Sequence, residues 1–186
     1  MSTAVDTLIA ALAKGERKPA PGDGATVRAH ISKAPFNRER RPESAWSRVG
    51  ESVVGCPHPS TGQPIAGNTG LTSLEYHVAK RIRGGQWRSG TTPEEYEVDC
   101  RHAAALASVV KAGVRIVPLA ATQTRVTSPD FPRVHFVPGQ VLLVVYDTAK
   151  SRITTAYYLP EADAPIQVYK YWVQKPKPVV LPISTP

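Results

Sequence analysis

The sequence of 186 residues lacks the motifs that assign many enzyme classes directly. It contains no HExxH or GxSxG motif, no Walker A loop, no dinucleotide-binding fingerprint and no evident pair of catalytic carboxylates. Those patterns hold a zinc ion, an activated serine, a nucleotide phosphate or a glycosidic bond at a fixed spacing. Their absence argues against zinc proteases, α/β-hydrolases and glycosidases.

Cysteine is scarce, with only Cys56 and Cys100 in the chain. The two lie far apart and show neither a CxxC motif nor the Cys/His spacing of a zinc site. We therefore expect no metal, no other cofactor and no disulfide framework, while a single bridge between the two stays open. Two thiols of this kind suit a reducing cytosol.

Long apolar runs are also missing. No run reaches the roughly 18–20 residues that a membrane-spanning helix needs. The apolar stretch at residues 7–13 is too short for a signal peptide and has no positively charged region before it. We expect a soluble chain with no membrane span and no conventional export signal.

Acidic residues are outnumbered by basic ones. The 15 Asp and Glu residues face 23 Lys and Arg residues, which gives a formal net charge of +8 and an isoelectric point near 9.7. Such a balance favours polyanionic partners, either nucleic acid or an anionic membrane surface. A basic but merely solvated surface is the other explanation.

The length fits one domain with an extension. Residues 1–66 combine a short helix at 3–14 with a basic segment rich in proline and glycine, which we expect to wrap the domain rather than to form its core. Residues 67–174 form the catalytic-like domain, and residues 175–186 form an extended proline-rich tail. Scattered apolar anchors in the wrapping segment are Val27, Ile31, Phe36 and Trp46.

Two helices open the main domain, each with a capping box. Thr72 followed by Glu75 begins the first, because the hydroxyl and the carboxylate satisfy each other's backbone N–H groups. An apolar stripe at i, i+4 and i+8 and a terminating glycine pair complete this helix: Leu74, Val78, Ile82, Gly84 and Gly85. The second helix begins at Thr92-Pro93-Glu94-Glu95 and is predicted to run to Lys111-Ala112-Gly113.

The rest of the domain has the composition of short strands. We predict strands at 114–118, 122–127, 134–137, 140–146, 152–159 and 166–173, with a turn at 147–151. The strand at 152–159 is expected to be central or near-central, with Ile153, Thr155, Tyr157 and Leu159 on one face. The fold class is therefore α+β, with two helices packed on an antiparallel β-meander.

His77 is the first candidate catalytic residue. Histidine has an ordinary pKa of about 6.5, so it can act as an acid and as a base at neutral pH. Lys80 and Arg81 follow within one helical turn, so a phosphate bound there would meet positive charge beside a proton carrier. A surface histidine on a basic helix is the other interpretation. His135, beside Arg133 on a later strand, is a candidate second acid or base.

Four hydroxyl side chains fall within five positions of the last hairpin strand: Thr154, Thr155, Tyr157 and Tyr158. A hydroxyl directed at a phosphate oxygen can orient the scissile group and stabilise its developing charge. Threonine and tyrosine are also ordinary strand residues, so packing explains them too. We take Thr154, Thr155 and Tyr157 as candidate catalytic residues, provided that the fold brings them to His77.

The glycine-rich loop between the two helices contains Arg83, Trp87 and Arg88. Arginines that alternate with an aromatic residue suit a single strand of nucleic acid, with guanidinium groups on the backbone and the indole stacked on a base. We take these three as candidate nucleic-acid-binding residues. A simple link between two helices accounts for the loop equally well.

Three features in this order resemble the BECR-type (barnase/EndoU/colicin/RelE-like) ribonuclease toxins of bacterial polymorphic toxins. They are the basic helix with its histidine, the Thr-Pro-Glu-Glu-Tyr helix at 92–96 and the hairpin Val-Val-Tyr-Asp-x(5)-Ile-Thr-Thr-Ala-Tyr at 144–157, and the likeness covers about residues 68–160. It implies metal-independent cleavage of RNA, often tRNA, by attack of the ribose 2′-hydroxyl, and neutralisation by an immunity protein.

The resemblance also implies roles by position. His77 looks like the helix histidine, Lys80 or Arg81 like the basic phosphate partner, and Thr154 or Thr155 with Tyr157 like the hydroxyl group of the final strand. The chain departs from the group in its long tail and in starting at Met1 without a large delivery region. That departure bears on toxin status more than on RNA cleavage.

The first hypothesis is a metal-independent endoribonuclease, a bacterial toxin effector that acts in the cytoplasm of a target cell and is delivered there without a conventional signal peptide. The alternative is a non-catalytic basic nucleic-acid-binding or adaptor protein encoded by a phage or mobile element. A third is an interaction module whose proline-rich tail docks in a partner groove. The sequence leaves the RNA target and the oligomeric state open.

Overall fold

A computed structural model describes residues 2–14, 16–40, 52–67, 70–105, 109–110, 114–120, 131–135, 140–160 and 179–180. The helices are α1 (Ala4–Lys14), α2 (Asp23–Ile31), α3 (Ser73–Arg83) and α4 (Pro93–Ala105). The strands are β1 (Val109–Val110), β2 (Val114–Ala120), β3 (Gln140–Asp147), β4 (Arg152–Pro160) and β5 (Val179–Val180).

The predicted α+β class is confirmed. Strands β2, β3 and β4 form an antiparallel sheet in that order, and β1 pairs with β5 in a separate two-stranded ladder. Helix α3 packs against β4 and helix α4 against β3, as expected for helices on one face of a meander. No helix in the described ranges is long and apolar enough to cross a membrane.

The main core combines side chains from the N-terminal helices with side chains from the rest of the α+β fold. One cluster of buried apolar side chains joins α1 and α2 to α3, α4 and the β3–β4 hairpin. Val27, Ile31 and Phe36 are at most 3% exposed within it. The prediction that the segment after residue 24 only wraps the domain is therefore wrong for these residues. Helix α2, which the sequence patterns did not indicate, turns Val27 and Ile31 inward, and burial of such side chains is worth roughly 1.5–3 kcal/mol each.

A second, smaller core lies on the opposite side of α3. Val53 and Ile65 from the loop at 52–67 are buried against Tyr76 and Ala79 of the helix. The loop is held in shape by backbone hydrogen bonds across its neck, including those of Gly55 to the carbonyl of Ile65 and of Ile65 to Cys56. Helix α3 thus packs against other parts of the chain on two of its faces. The two faces can therefore have different roles.

Both predicted helix starts are confirmed. The Thr72 hydroxyl accepts from the N–H of Glu75 at 3.2 Å, and the Glu75 carboxylate accepts from the N–H of Thr72 at 2.8 Å. Thr92 and Glu95 repeat the same exchange before α4. Helix α3 ends at Arg83, and Gly84 is its C-cap, as the predicted terminating glycine pair implies.

The predicted end of α4 is wrong. The helix ends at Ala105 instead of continuing to 111–113, and Val109–Val110 forms β1. Paired β-branched residues prefer extended backbone, since their χ1 rotamers are restricted in a helix. Pairing with β5 satisfies their backbone groups. The lysine and glycine that suggested a helix end at 111–113 lie outside the described residues.

Strand β4 departs from the predicted pattern in two ways. Among the strands that the structure describes, it lies at the edge of the sheet rather than in its centre. Val145 pairs with Thr155 but Tyr146 pairs with Ile153, so Thr154 is the extra residue of a β-bulge. The bulge shifts the pleat by one residue, which places Ile153 and Ala156 in the same core cluster instead of on opposite faces.

The hairpin turn is confirmed, with the Asp147 carboxylate accepting from the N–H groups of Ala149 and Lys150 at 2.9 and 3.2 Å. Ser151 closes it in the left-handed region, at φ 51°. Several predicted strands lie wholly or partly outside the described residues, namely 122–127, 136–137 and 166–173, as do Trp46 and most of the proline-rich tail.

Candidate functional site

The structure brings His77 and Thr155 together. The Nδ1 atom of His77, on α3, lies 3.0 Å from the Thr155 hydroxyl oxygen on β4, although 78 residues separate the two in the chain. Thr155 is buried at 9% exposure, and His77 is half-buried. The imidazole therefore has a fixed orientation and is in partial contact with solvent, which a proton carrier requires.

Arg81 completes this cluster from one helical turn further along α3. Its guanidinium donates from Nε to the Ala156 carbonyl at 2.7 Å and from Nη2 to the Thr155 hydroxyl at 3.2 Å. It also lies over the Tyr157 ring, 5.0 Å from the centroid. Within the described part of the chain, all these contacts are with neutral groups. The half-buried guanidinium therefore places a positive charge beside the imidazole, with no carboxylate among its described contacts.

The outer edge of β4 is capped by groups that hold Thr155 in place. On one side of the bulge, Ile153 donates its N–H to Pro35 at 2.9 Å and accepts from Asn37 at 2.7 Å. On the other side, the Tyr96 hydroxyl accepts from the Ala156 N–H at 2.9 Å and donates to its carbonyl at 2.8 Å. Burial raises the pKa of Tyr96 well above its ordinary value, so the hydroxyl keeps the proton that it donates.

Aromatic rings hold the other side of the imidazole. Phe36 and Tyr76 lie edge-on to His77, with ring centroids 6.3 and 5.0 Å away. Lys80 extends over the Tyr76 ring, 5.7 Å from its centroid. The cluster of His77, Thr155, Arg81 and Tyr157 is called the α3–β4 site below, and Lys80 lies at its margin.

Thr154 is not part of the α3–β4 site. Its hydroxyl donates back to the Val145 carbonyl of the neighbouring strand at 3.2 Å. This bond compensates the ladder interruption at the bulge, so it serves the fold. Of the two adjacent threonines that the sequence offered, the structure brings only Thr155 to His77.

The loop between α3 and α4 corrects one prediction. Trp87 is 1% exposed, stacks edge-on against Tyr96 and donates its indole N–H to Asp99 at 2.9 Å. It therefore cannot stack on a base, because the ring belongs to the core. Arg83 and Arg88 are exposed, which keeps them accessible to a polyanion.

Arg133 connects this loop to helix α4 and to the segment at 131–135. Its guanidinium donates to both oxygens of the Asp99 carboxylate, at 3.0 and 2.7 Å, while that carboxylate also accepts from Trp87. The Asp99 hydrogen bond raises the pKa of Arg133. The segment at 131–135 is thereby tied to the loop, and His135 donates its backbone N–H to the Gln86 carbonyl at 3.0 Å. No described contact joins the His135 ring to His77.

A second histidine cluster, centred on Asp6, lies at the turn end of the hairpin. The Asp6 side chain is fully buried, and it accepts hydrogen bonds from Tyr146 at 2.9 Å, from Thr3 at 2.8 Å and from Ser151. His30 lies 3.3 Å from the carboxylate and 3.0 Å from the Tyr146 hydroxyl. The cluster ties α1 and α2 to the β3–β4 turn.

The hydrogen bonds within the Asp6 cluster determine the protonation state of the Asp6 carboxylate. Burial raises the pKa of Asp6, but the donors Ser151, Thr3 and Tyr146 together outweigh burial and leave the pKa below its ordinary value. The carboxylate is therefore ionised at neutral pH. The sequence patterns gave Asp6 no role, and they indicated Phe36 only as an apolar anchor and Tyr96 only as part of the Thr-Pro-Glu-Glu-Tyr helix.

No group of three His, Cys, Asp or Glu side chains that could hold a metal ion occurs in the described ranges. Comparisons of the chain with protein-family models, with curated proteins and with solved structures find no match.

Proposed function

We propose that the chain is a metal-independent endoribonuclease whose reaction takes place at the α3–β4 site. The observation that carries the proposal is the contact between the His77 imidazole and the Thr155 hydroxyl, with the Arg81 guanidinium on the same hydroxyl. A proton carrier, an orienting hydroxyl and a cation are the groups that RNA cleavage through the 2′-hydroxyl needs.

Thr155 selects the tautomer of His77 in which Nε2 can act as the base. Its oxygen can accept from the Nδ1–H of His77 and from Arg81 while its own proton points to the Ala156 carbonyl, 3.5 Å away. In that arrangement the proton of the neutral imidazole is on Nδ1, and Nε2 is the basic nitrogen. The hydroxyl thus plays the orienting role that a carboxylate plays in other histidine sites.

Arg81 supplies the positive charge for the phosphate. Its guanidinium is fixed by the Ala156 carbonyl and the Tyr157 ring, so little side-chain entropy is lost when a phosphate binds. A planar fork of N–H donors matches two phosphate oxygens, and it meets the charge that grows on them in the transition state. Lys80, one position earlier on α3, adds to the local positive potential.

The proposed reaction follows from these positions. Nε2 of His77 takes the proton of a ribose 2′-hydroxyl, whose oxygen attacks the adjacent phosphorus. A bond forms between phosphorus and the 2′ oxygen, and the bond to the 5′ oxygen of the next nucleotide breaks. The leaving oxygen takes a proton from water, and the upstream fragment ends in a 2′,3′-cyclic phosphate.

The resemblance to BECR-type ribonuclease toxins extends the proposal to the biological role of the protein. A toxin effector of that kind acts on RNA, often tRNA, in the cytoplasm of a target cell, and a cognate immunity protein blocks it. The net charge of +8 supports a polyanionic substrate. Expression in a bacterial host with and without a neighbouring reading frame would test this part, since growth arrest relieved by the neighbour is the expected result.

The alternative is a nucleic-acid-binding protein that cleaves nothing. Exposed Arg83 and Arg88 favour it, because surface guanidinium groups bind phosphate without any need for His77. Binding of this kind weakens steeply as salt rises and leaves the RNA intact.

A defined single-stranded RNA incubated with the protein in EDTA separates the two functions. We expect cleavage with 2′,3′-cyclic phosphate ends, and no cleavage at a position where one ribose is replaced by 2′-deoxyribose. Retarded but intact RNA would favour the binding protein. Cleavage that survives the 2′-deoxy substitution would contradict attack by the 2′-hydroxyl.

A further inference from the structure

A cavity of about 490 Å³ lies on the side of α3 that faces away from the α3–β4 site. Ala79, Ile82 and Arg83 line it from the helix, and the loop at 52–67 and the turn before α4 close it. Helical periodicity puts these three side chains opposite His77 and Arg81. The cavity is therefore a separate site, not an extension of the proposed catalytic one.

The lining of the cavity is mainly apolar. Pro57 and Pro59 from the loop and Ala79 and Ile82 from the helix are among the apolar residues that line it. A volume of this size falls in the range of small-molecule sites, roughly 300–1,000 Å³, which typically combine apolar walls with a few polar groups. An aromatic ring system is a ligand group suited to an apolar lining of this kind.

The charges at the cavity have one sign. Arg83 is the permanently charged residue among those that line it, and no carboxylate is among them. The Ser52 carbonyl accepts from one Arg83 nitrogen, which fixes the guanidinium at the cavity margin. His58, which also lines the cavity, is held by the Ser60 N–H on Nδ1 and by Glu75, 3.8 Å from Nε2. An anionic ligand group is favoured at Arg83.

We propose that this cavity binds a nucleoside monophosphate, with the base between the prolines and Ile82 and the phosphate on Arg83. The same chemistry is offered by a free mononucleotide and by the 5′-terminal nucleotide of an RNA strand. Binding here does not require cleavage at His77, because the two sites lie on opposite faces of α3.

Cys56 provides a native reporter for this binding. It is a partly exposed free thiol in the cavity wall, while the other thiol, Cys100, is fully buried and serves as an internal control. Burial raises the pKa of Cys100, which further slows its reaction because the thiolate is the reactive form. A ligand in the cavity should therefore slow alkylation of Cys56 alone.

The experiment measures the rate of Cys56 alkylation in the full chain as adenosine 5′-monophosphate or uridine 5′-monophosphate is added. We expect saturable protection, with the apparent dissociation constant raised about tenfold or more in Arg83→Gln, which removes a charged hydrogen bond to phosphate. Arg17→Gln is the matched control, because Arg17 is an exposed arginine that does not line the cavity. It should leave protection unchanged.

Further ligands distinguish the sources. Inorganic phosphate and the unphosphorylated nucleoside should each protect far less than the mononucleotide. A 5′-phosphorylated trinucleotide that protects at lower concentration than the mononucleotide identifies an RNA end as the ligand, and the reverse order identifies the free nucleotide. The proposal is overturned if the mononucleotide gives no protection, if Arg83→Gln is protected as well as the wild type, or if phosphate alone protects equally.

Discussion

Two clusters in this molecule join a histidine to a hydroxyl of the same β-hairpin, and they differ in the charge of the third group. His77 meets Thr155 beside the Arg81 guanidinium, and His30 meets Tyr146 beside the Asp6 carboxylate. The first histidine is half-buried next to a cation. The second touches a fully buried anion that already accepts several hydrogen bonds.

This difference distinguishes a candidate catalytic site from a cluster that stabilises the fold. A cation beside a partly exposed imidazole attracts a phosphate. The histidine can then exchange a proton with the RNA that is bound there. A buried carboxylate surrounded by donors repels a phosphate and instead fixes α1 and α2 to the hairpin turn. Changes at the α3–β4 site should therefore alter activity, and changes at the Asp6 cluster should alter stability.

The largest expected effect is on activity, in His77→Gln. Loss of a general base typically lowers a rate by about 10²–10⁴-fold, and we expect cleavage of a defined RNA in EDTA to fall by that amount. His30→Gln is the matched control and should retain wild-type cleavage once circular dichroism shows that both variants are folded. Equal activity in His77→Gln and the wild type would remove His77 from the reaction.

Arg81→Met should lower the cleavage rate about 100-fold, because a preorganised donor to a developing phosphate charge is worth roughly that much. Arg101→Met is the control, since Arg101 also donates to a backbone carbonyl, that of Ala34, at 3.0 Å, but lies outside the α3–β4 site. Rates are measured with enzyme in excess over RNA. Similar losses in both variants would indicate that Arg81 acts through the fold alone.

Asp6→Asn should reduce the free energy of unfolding by about 2 kcal/mol, because buried donors lose a charged acceptor. Urea unfolding measures the change, and RNA cleavage by the folded variant should be unaffected. Glu39→Gln is the contrasting variant. Its hydrogen bond to Arg152 lowers the pKa of Glu39 to about 2, yet the carboxylate is exposed, so we expect a far smaller loss of stability.

The Asp6 carboxylate also predicts that the free energy of unfolding depends on pH. The pKa of Asp6 is lower in the folded chain than its ordinary value of 3.8, so the unfolded chain binds the proton more tightly. Its contribution is complete above that ordinary value and is lost as the pH falls through the folded pKa. Unfolding free energies measured from pH 6 downward should decline more steeply in the wild type than in Asp6→Asn. Parallel curves would contradict this assignment.

The smallest effect is expected for the two adjacent threonines. Thr155→Val keeps the shape of the side chain and removes one neutral hydrogen bond to His77, which should lower cleavage about tenfold. Thr154→Val removes only a bond to the Val145 carbonyl and should leave cleavage unchanged. If the two variants behave alike, the contact between His77 and Thr155 has no part in catalysis.

Much of the local structure could be predicted from the sequence, because its causes are local. The capping boxes at Thr72 and Thr92 and the Asp147 turn depend on side chains within three residues of the backbone groups that they satisfy. The candidates His77, Arg81, Thr155 and Tyr157 are also brought together, because α3 packs against β4.

The predictions that were wrong concerned features that depend on contacts between residues far apart in the chain. The bulge that separates the roles of Thr154 and Thr155 arises from strand pairing, and no periodicity shows it. Trp87 belongs to the core because Asp99, twelve residues later, accepts its N–H. The burial of Val27 and Ile31 follows from α2, a short helix with a weakly amphipathic sequence that tertiary packing stabilises.

The most direct test of the central claim is the protonation state of the two His77 ring nitrogens, measured by ¹⁵N NMR at a pH where the imidazole is neutral. With the Thr155 hydroxyl accepting from the ring, the proton should be on Nδ1, and Thr155→Val should shift it toward Nε2. A wild-type ring that carries its proton on Nε2 would contradict the account, because Nδ1 would then accept from Thr155 and no basic nitrogen would remain for the 2′-hydroxyl.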